Sequence, residues 1–149
     1  MNGESSVILL VEDEPAHAEI VQRTLRVSSV TNRLMYVPDG QAALDYLFRR
    51  GAYAAPGLSP RPSLILLDLC LPKLDGLEVL KIIKADSDLS SIPVIVLTAS
   101  GSRQDKELAY NHHANGYLVK PLDVLRFVNL LEIHGDYWLS WNRNSLLAC

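Results

Sequence analysis

The apolar run Leu64-Ile65-Leu66-Leu67 stops on a single carboxylate, Asp68, and the chain then turns through Pro72 and Gly76. A short continuous apolar run bounded by turn residues suits a strand buried on both faces, as in a parallel sheet. In an open α/β sheet, ligands bind outside the carboxyl ends of such strands. Asp68 sits at one of those ends. Read alone, it is either a turn and capping residue or the first candidate for chemistry.

The same grammar recurs along the chain. Val7-Ile8-Leu9-Leu10-Val11 runs unbroken into Glu12-Asp13-Glu14. Pro15 then stands in a first helical turn, where its missing N–H costs nothing, and Ala18, Val21 and Leu25 predict a helix from 15 to about 28. Arg33 to Val37 is a weaker strand, closed by Pro38-Asp39-Gly40. Asp39 is placed to cap a second helix whose apolar stripe is Ala43, Leu44, Leu47 and Phe48. Residues 51–62 hold three prolines and two glycines, which predicts an irregular loop, most simply a surface insertion. Gly76, Val79, Leu80 and Ile83 give a third helix ending near Asp86-Ser87-Asp88. Ile92 to Leu97 is a fourth strand, followed by the small residues Thr98-Ala99-Ser100-Gly101-Ser102. Arg103 to His112 is helical only by weak signals, since Leu108 and Ala109 are its main apolar residues. Gly116 to Val119 is a short fifth strand, followed by Lys120-Pro121. A last helix is expected from Leu122 to about Ile133. Five alternations of strand and helix predict an α/β fold, a doubly wound five-stranded parallel sheet with helices on both faces.

Bulk properties narrow the function. With 48% hydrophobic and 21% charged residues, the 149-residue chain is globular and not disordered. A net charge of -3 and only an Arg49-Arg50 pair argue against a nucleic-acid partner. No apolar run approaches a membrane span, and the first residues lack the pattern of a signal peptide. The two cysteines, Cys70 and Cys149, give neither metal spacing nor a disulfide framework, so a cytoplasmic setting is expected.

A parallel sheet brings all its carboxyl strand ends to one edge. There it would gather Glu12 and Asp13 from strand one, Asp68 from strand three, Thr98 from strand four and Lys120 from strand five. Convergence of three carboxylates, a hydroxyl and an ammonium is hard to explain as capping. Clustered carboxylates repel, and a hard divalent cation with oxygen ligands relieves them; Mg²⁺ suits one or two carboxylates plus waters. A phosphoryl group fits between such a cation and the lysine, because its transfer needs mainly positioning and charge neutralisation.

These motifs, in order, are Val11-Glu12-Asp13-Glu14, Leu66-Leu67-Asp68-Leu69-Cys70-Leu71-Pro72-Lys73-Leu74-Asp75-Gly76, Leu97-Thr98-Ala99 and Tyr117-Leu118-Val119-Lys120-Pro121. Over about residues 6 to 134 the chain resembles a response-regulator receiver domain of two-component signalling. The resemblance implies the sheet order 2-1-3-4-5 and a single receiver domain over 1–149, with its core at about 6–134 and an extension over 135–149. It implies that Asp68 accepts a phosphoryl group from a histidine kinase. Asp13, Asp68 and the backbone carbonyl of Cys70 would hold Mg²⁺, with Glu12 acting through water and Mn²⁺ or Ca²⁺ as substitutes. Thr98, the Ala99 amide and Lys120 would bind the phosphoryl oxygens, Thr98 and Tyr117 would form the switch, and Lys120-Pro121 would be a cis peptide.

Other readings stay in view. Tyr117 also fits an ordinary core aromatic, and Cys70 reads as a small buried hydrophobe rather than a redox-sensitive thiol. A small phosphatase using Asp68 would need an acid where Cys70 stands, and a dinucleotide-binding module would need a glycine motif after strand one. A phosphorylation-independent interaction module would tend to lose the acids or the lysine. His113 stands where the family usually has glycine; His112-His113 reads as a helix C-terminal pair rather than a metal site. The loop at 51–62, the stretch His113 to Leu118, and the tail with Trp138 and Trp141 are similar to small regulators that partner cyanobacterial phytochrome kinases. That likeness implies a homodimer through helix 4, strand 5 and helix 5 with the tail. Output would pass by protein contact or to a histidine phosphotransfer protein, because about 15 residues past the last helix are too few for an output domain.

Overall fold

A computed structural model describes residues 6–27, 32–99 and 101–120. Five parallel strands, β1 (Ser6–Val11), β2 (Asn32–Val37), β3 (Leu64–Leu67), β4 (Val94–Thr98) and β5 (Gly116–Val119), form one sheet in the order β2-β1-β3-β4-β5. Helices α1 (Pro15–Val27), α2 (Gly40–Leu47), α3 (Gly76–Ala85) and α4 (Arg103–Asn111) connect them. The expected order is therefore observed. The chain direction across the sheet reverses between β1 and β3, which opens a crevice where both strands end.

Side-chain alternation divides the core in two. Leu9, Val11, Ile65, Leu67, Val94, Val96 and Tyr117 face α2, α3 and Ala109 of α4. Ile8, Leu10, Leu64, Leu66, Ile95, Leu97 and Leu118 face Ala18 and Val21 of α1. The central strands β1, β3 and β4 read as continuous apolar runs because both faces are covered, whereas the edge strand β2 keeps Arg33 and Tyr36 exposed.

The helices start and stop for local reasons. Asp39 caps α2, its Oδ1 accepting from the Ala42 amide at 2.8 Å. Ser102 caps α4 through the Asp105 amide at 3.0 Å. Three expectations need correction. β4 begins at Val94 rather than Ile92, because Pro93 has no N–H to give the ladder and offers only its carbonyl, to Ile65 N at 3.0 Å. Phe48 is not on the α2 stripe: it is the exposed C-cap residue, with the Arg50 guanidinium 5.3 Å above its ring. Residues 51–62 include a short 3-10 turn over Gly51–Tyr53 and are tied down. Tyr46 Oη donates to the Pro60 carbonyl at 2.7 Å, and an Arg61 N–H donates to the Leu47 carbonyl at 2.8 Å.

His113 occupies the left-handed region at φ 73°, directly after the C-cap of α4. Its amide bonds to the Tyr110 carbonyl at 3.0 Å, and the Ala114 amide to that of Ala109 at 3.0 Å. That is a helix-ending turn that favours glycine, which explains why histidine is a departure there. His113→Gly should raise unfolding stability by about 1 kcal/mol in urea melts, because the positive φ then costs nothing. A destabilised variant would contradict that account. The expected last helix, the Lys120-Pro121 peptide geometry, Cys149 and the tail with Trp138 and Trp141 lie outside the described residues.

Candidate functional site

Main-chain hydrogen bonds carry the strand ladders one step past the strand ends and so pin the candidate residues. Glu12 N donates to Val37 O at 3.1 Å, Asp68 N to Val11 O at 3.1 Å, and Lys120 N to Thr98 O at 2.8 Å. Each functional residue therefore inherits the register of the sheet. The start of β5 is fixed separately. The Asn115 side-chain carbonyl accepts from Val94 N at 2.9 Å and Lys84 Nζ at 3.1 Å.

The edge gathers what the sequence placed there. One carboxylate oxygen from each of Glu12, Asp13 and Asp68 lies within 4.8 Å of the other two. Asp68 is 5% exposed and Glu12 only 1%, whereas Asp13 is open to solvent. Asp68 is held at both oxygens: Oδ1 accepts from the Cys70 amide at 3.1 Å, and Oδ2 from Lys120 Nζ at 3.1 Å. Lys120 also donates to Glu12 Oε1. Glu12 Oε2 in turn accepts from the Glu14 amide at 3.2 Å, so its carboxylate joins the end of β1, the start of α1 and β5. Thr98 is fully buried at the end of β4, and Ala99 next to it is exposed. Tyr117 is buried in the core on the α4 side. Cys70, expected to be buried, has an exposed thiol; the turn after Asp68 points the side chain outward while its amide faces the carboxylate.

One member of the cluster escaped the sequence. His17, in the first turn of α1, places Nδ1 3.0 Å from Lys120 Nζ and 3.7 Å from Glu12 Oε2. It lies 103 residues from Lys120 in the chain, and nothing in its local pattern signals the contact.

The turn between Asp68 and α3 is tight. Gly76 N donates to Leu69 O at 3.0 Å, bringing the first residue of α3 against the backbone that carries Asp68. A Cβ on Gly76 would stand 2.2 Å from the Asp68 carbonyl oxygen and 2.5 Å from Leu69 Cα. Only glycine permits this approach.

Charge is unevenly balanced. Burial pushes the Glu12 carboxyl above its ordinary value of 4.5, and Asp68 adds to the rise, while hydrogen bonds from Lys120 and the Glu14 amide only partly offset it. Burial alone would lower the Lys120 ammonium, but its hydrogen bonds to Glu12 and Asp68 prevail and hold it above 10.5. The Glu12 shift has a signed consequence. The folded protein keeps the Glu12 proton in a pH window where the unfolded chain has released it, so stability falls as pH rises through that window. The contribution is full below 4.5 and is lost as pH passes the raised value. Urea melts in a chelator at stepped pH should show a downward slope starting near 4.5 that Glu12→Gln flattens. An equal slope in both proteins would contradict the assignment.

The donor set suits a hard divalent cation: three carboxylates, no soft ligand and an exposed side open to water. A partly buried ammonium 3.1 Å from Asp68 completes a site able to hold a dianionic group. A family model, the response regulator receiver domain, matches residues 8–132. The chain belongs to the response regulator receiver family. It is 43% identical to response regulator Rcp1 of Synechocystis sp. over 142 residues, which covers 93% of this chain and 95% of that protein. A probable methanogenesis regulatory protein, FilR2 of Methanothrix harundinacea, is 46% identical over 138 residues, covering 93% of this chain and 86% of that one. Among solved structures, the Mn²⁺-bound form of Rcp1 superposes with a TM-score of 0.75 at 45% identity, covering 85% of this chain and 91% of that one. The phosphorylated cyanobacterial phytochrome response regulator RcpA superposes at 0.76 with 39% identity, covering 92% and 96%. This receiver is thus homologous to phytochrome response regulators and is a signalling module of two-component systems.

Proposed function

We propose that Asp68 is the phospho-acceptor of this receiver and takes its phosphoryl group from the phosphohistidine of a histidine kinase. An Asp68 oxygen forms a bond to phosphorus as the phosphorus–nitrogen bond breaks, and the imidazole leaves with the electron pair, taking up a proton from solvent. The observation that carries this is the setting of Asp68: nearly buried at a strand end, one oxygen on an amide and the other on the Lys120 ammonium.

Asp13, Asp68 and the Cys70 carbonyl are the proposed protein ligands of Mg²⁺. Glu12, already engaged by Lys120 and the Glu14 amide, acts through a water. The bound cation would supply neutralisation of charge on the phosphoryl oxygens. Lys120 neutralises the opposite side. Thr98 and the Ala99 amide take further phosphoryl oxygens, and a shift of Thr98 is transmitted to Tyr117.

The same reading makes the chain a phospho-acceptor and not a turnover enzyme, working in the cytoplasm. No helix among the described residues is long and apolar enough to cross a membrane. The receiver unit spans about residues 6–134, in line with the family match over 8–132, and is followed by an extension over 135–149. A phytochrome-type kinase is the proposed donor, given the likeness to Rcp1 and RcpA. A homodimer would form on the face of α4 and β5, where Leu108, Tyr110 and Val119 are exposed, together with the expected helix and tail after residue 120, which lie outside the described residues. A histidine phosphotransfer protein is the proposed onward partner.

The test is direct transfer. A phytochrome-type histidine kinase carrying labelled phosphohistidine should pass its label to the wild type in Mg²⁺ and not to Asp68→Asn. Label that stays on that kinase, but leaves non-phytochrome kinases for this chain, would reject the phytochrome link alone. Label reaching Asp68→Asn equally would reject the acceptor.

A further inference from the structure

A lysine ammonium carries three N–H donors and no acceptor. At Lys120 all three have partners: Glu12 Oε1, Asp68 Oδ2 at 3.1 Å and His17 Nδ1 at 3.0 Å. Because the ammonium can only donate, Nδ1 of His17 is the acceptor in this contact, and the ring proton sits on Nε2. The separation of 3.7 Å between Nδ1 and Glu12 Oε2 is too long for a hydrogen bond between them and agrees with that tautomer.

The three partners are not equivalent. Glu12 is 1% exposed and would be left as a buried charge without its cation, so that bond is held. Asp68 is the group that changes on phosphorylation, and a phosphoryl oxygen takes over the N–H now on Oδ2. His17 is the remaining partner, on an independent element and half open to solvent. We propose that His17 is a positioning residue for Lys120. By accepting one N–H it fixes the rotation of the ammonium, so that one of the others points at Asp68 and at the incoming phosphoryl group. This rests on Asp68 being the acceptor.

Without the imidazole, the third N–H turns to mobile water and the ammonium rocks between two carboxylates. Losing one such bond lowers the initial rate of phosphorylation by about fivefold. The geometry of the acceptor makes the proposal specific. An asparagine oxygen can occupy the place of Nδ1, whereas a glutamine oxygen falls nearer the place of Nε2.

The experiment measures initial rates of mass gain with acetyl phosphate in saturating Mg²⁺ for wild type, His17→Ala, His17→Asn and His17→Gln. Alanine and glutamine should slow loading about fivefold, and asparagine should keep it within about twofold of wild type. Mg²⁺ affinity by calorimetry should be unchanged in all three. In a Lys120→Ala background, His17→Ala should cost nothing further, since the effect passes through the lysine. Equal rates in all four proteins would overturn the proposal, as would an asparagine variant as slow as alanine. Multiplying effects of His17→Ala and Lys120→Ala would also overturn it. If the wild type itself gains no phosphate, the acceptor reading fails instead, so the two failures are told apart.

Discussion

Lys120→Ala should lower the rate of phosphoryl loading about 100-fold, the usual cost of removing one donor aimed at developing charge. The ammonium stands 3.1 Å from Asp68 Oδ2 and is partly buried, so no solvent cation can take its place in the same geometry. The same change should have an opposite effect on metal binding. It removes the positive charge beside an acid cluster whose oxygens lie within 4.8 Å of one another, so Mg²⁺ should bind more tightly. A variant that binds the cation better and loads phosphate worse separates the lysine's role from general damage. Calorimetry and intact-mass rates measure the two. Weaker Mg²⁺ binding together with slower loading would mean that the site had collapsed and that the assignment of the lysine is wrong. In the absence of metal the variant should also unfold at lower urea, because Glu12 then loses its counter-ion.

Gly76→Ala should have the largest effect on stability, about 3 kcal/mol by urea denaturation. The added methyl would meet the Asp68 carbonyl oxygen at 2.2 Å and Leu69 Cα at 2.5 Å. Both are backbone atoms, so no side chain can swing aside. Either α3 moves off the sheet or the Asp68 peptide rotates, and loading of Asp68 falls with it. Gly57 provides the contrast. It has a φ of +86° but nothing within 4 Å, so Gly57→Ala should cost only about 1 kcal/mol and leave loading intact. Equal midpoints for wild type and Gly76→Ala would contradict the packing argument.

Much of this arrangement was legible because sheet topology converts strand ends into neighbours. Leu67 ends β3 and Val11 ends β1 in register with it, so Asp68 and Glu12 had to meet once the strands were parallel. Thr98 and Val119 are likewise partners across β4 and β5, which brings Lys120 to the same edge. Local chemistry carried Asp39 as an N-cap, and the family pattern marked His113 as a departure at a position whose backbone favours glycine.

What escaped was side-chain reach between elements. His17 lies in a helix turn with no apolar or motif signal, and only the three-dimensional path of α1 over the ends of β1 and β5 puts it on Lys120. The exposure of Cys70 depends on how the turn after β3 is wound, which composition does not specify. The 51–62 segment looked formless because its order comes from Tyr46, Arg49 and Arg61 donating to backbone carbonyls, contacts that leave no periodic trace. Phe48 looked like core by spacing, but the helix had already ended at Leu47 and the left-handed Arg49 turned the chain away.

The central claim is that Asp68 becomes an acyl phosphate, and intact mass spectrometry tests it most directly. Wild type and Asp68→Asn are incubated with acetyl phosphate and Mg²⁺ and compared with samples in chelator. The account predicts a gain of one phosphate in the wild type that hydroxylamine removes, and no gain in Asp68→Asn or without metal. An unmodified wild type, or an equal gain in Asp68→Asn, would contradict it.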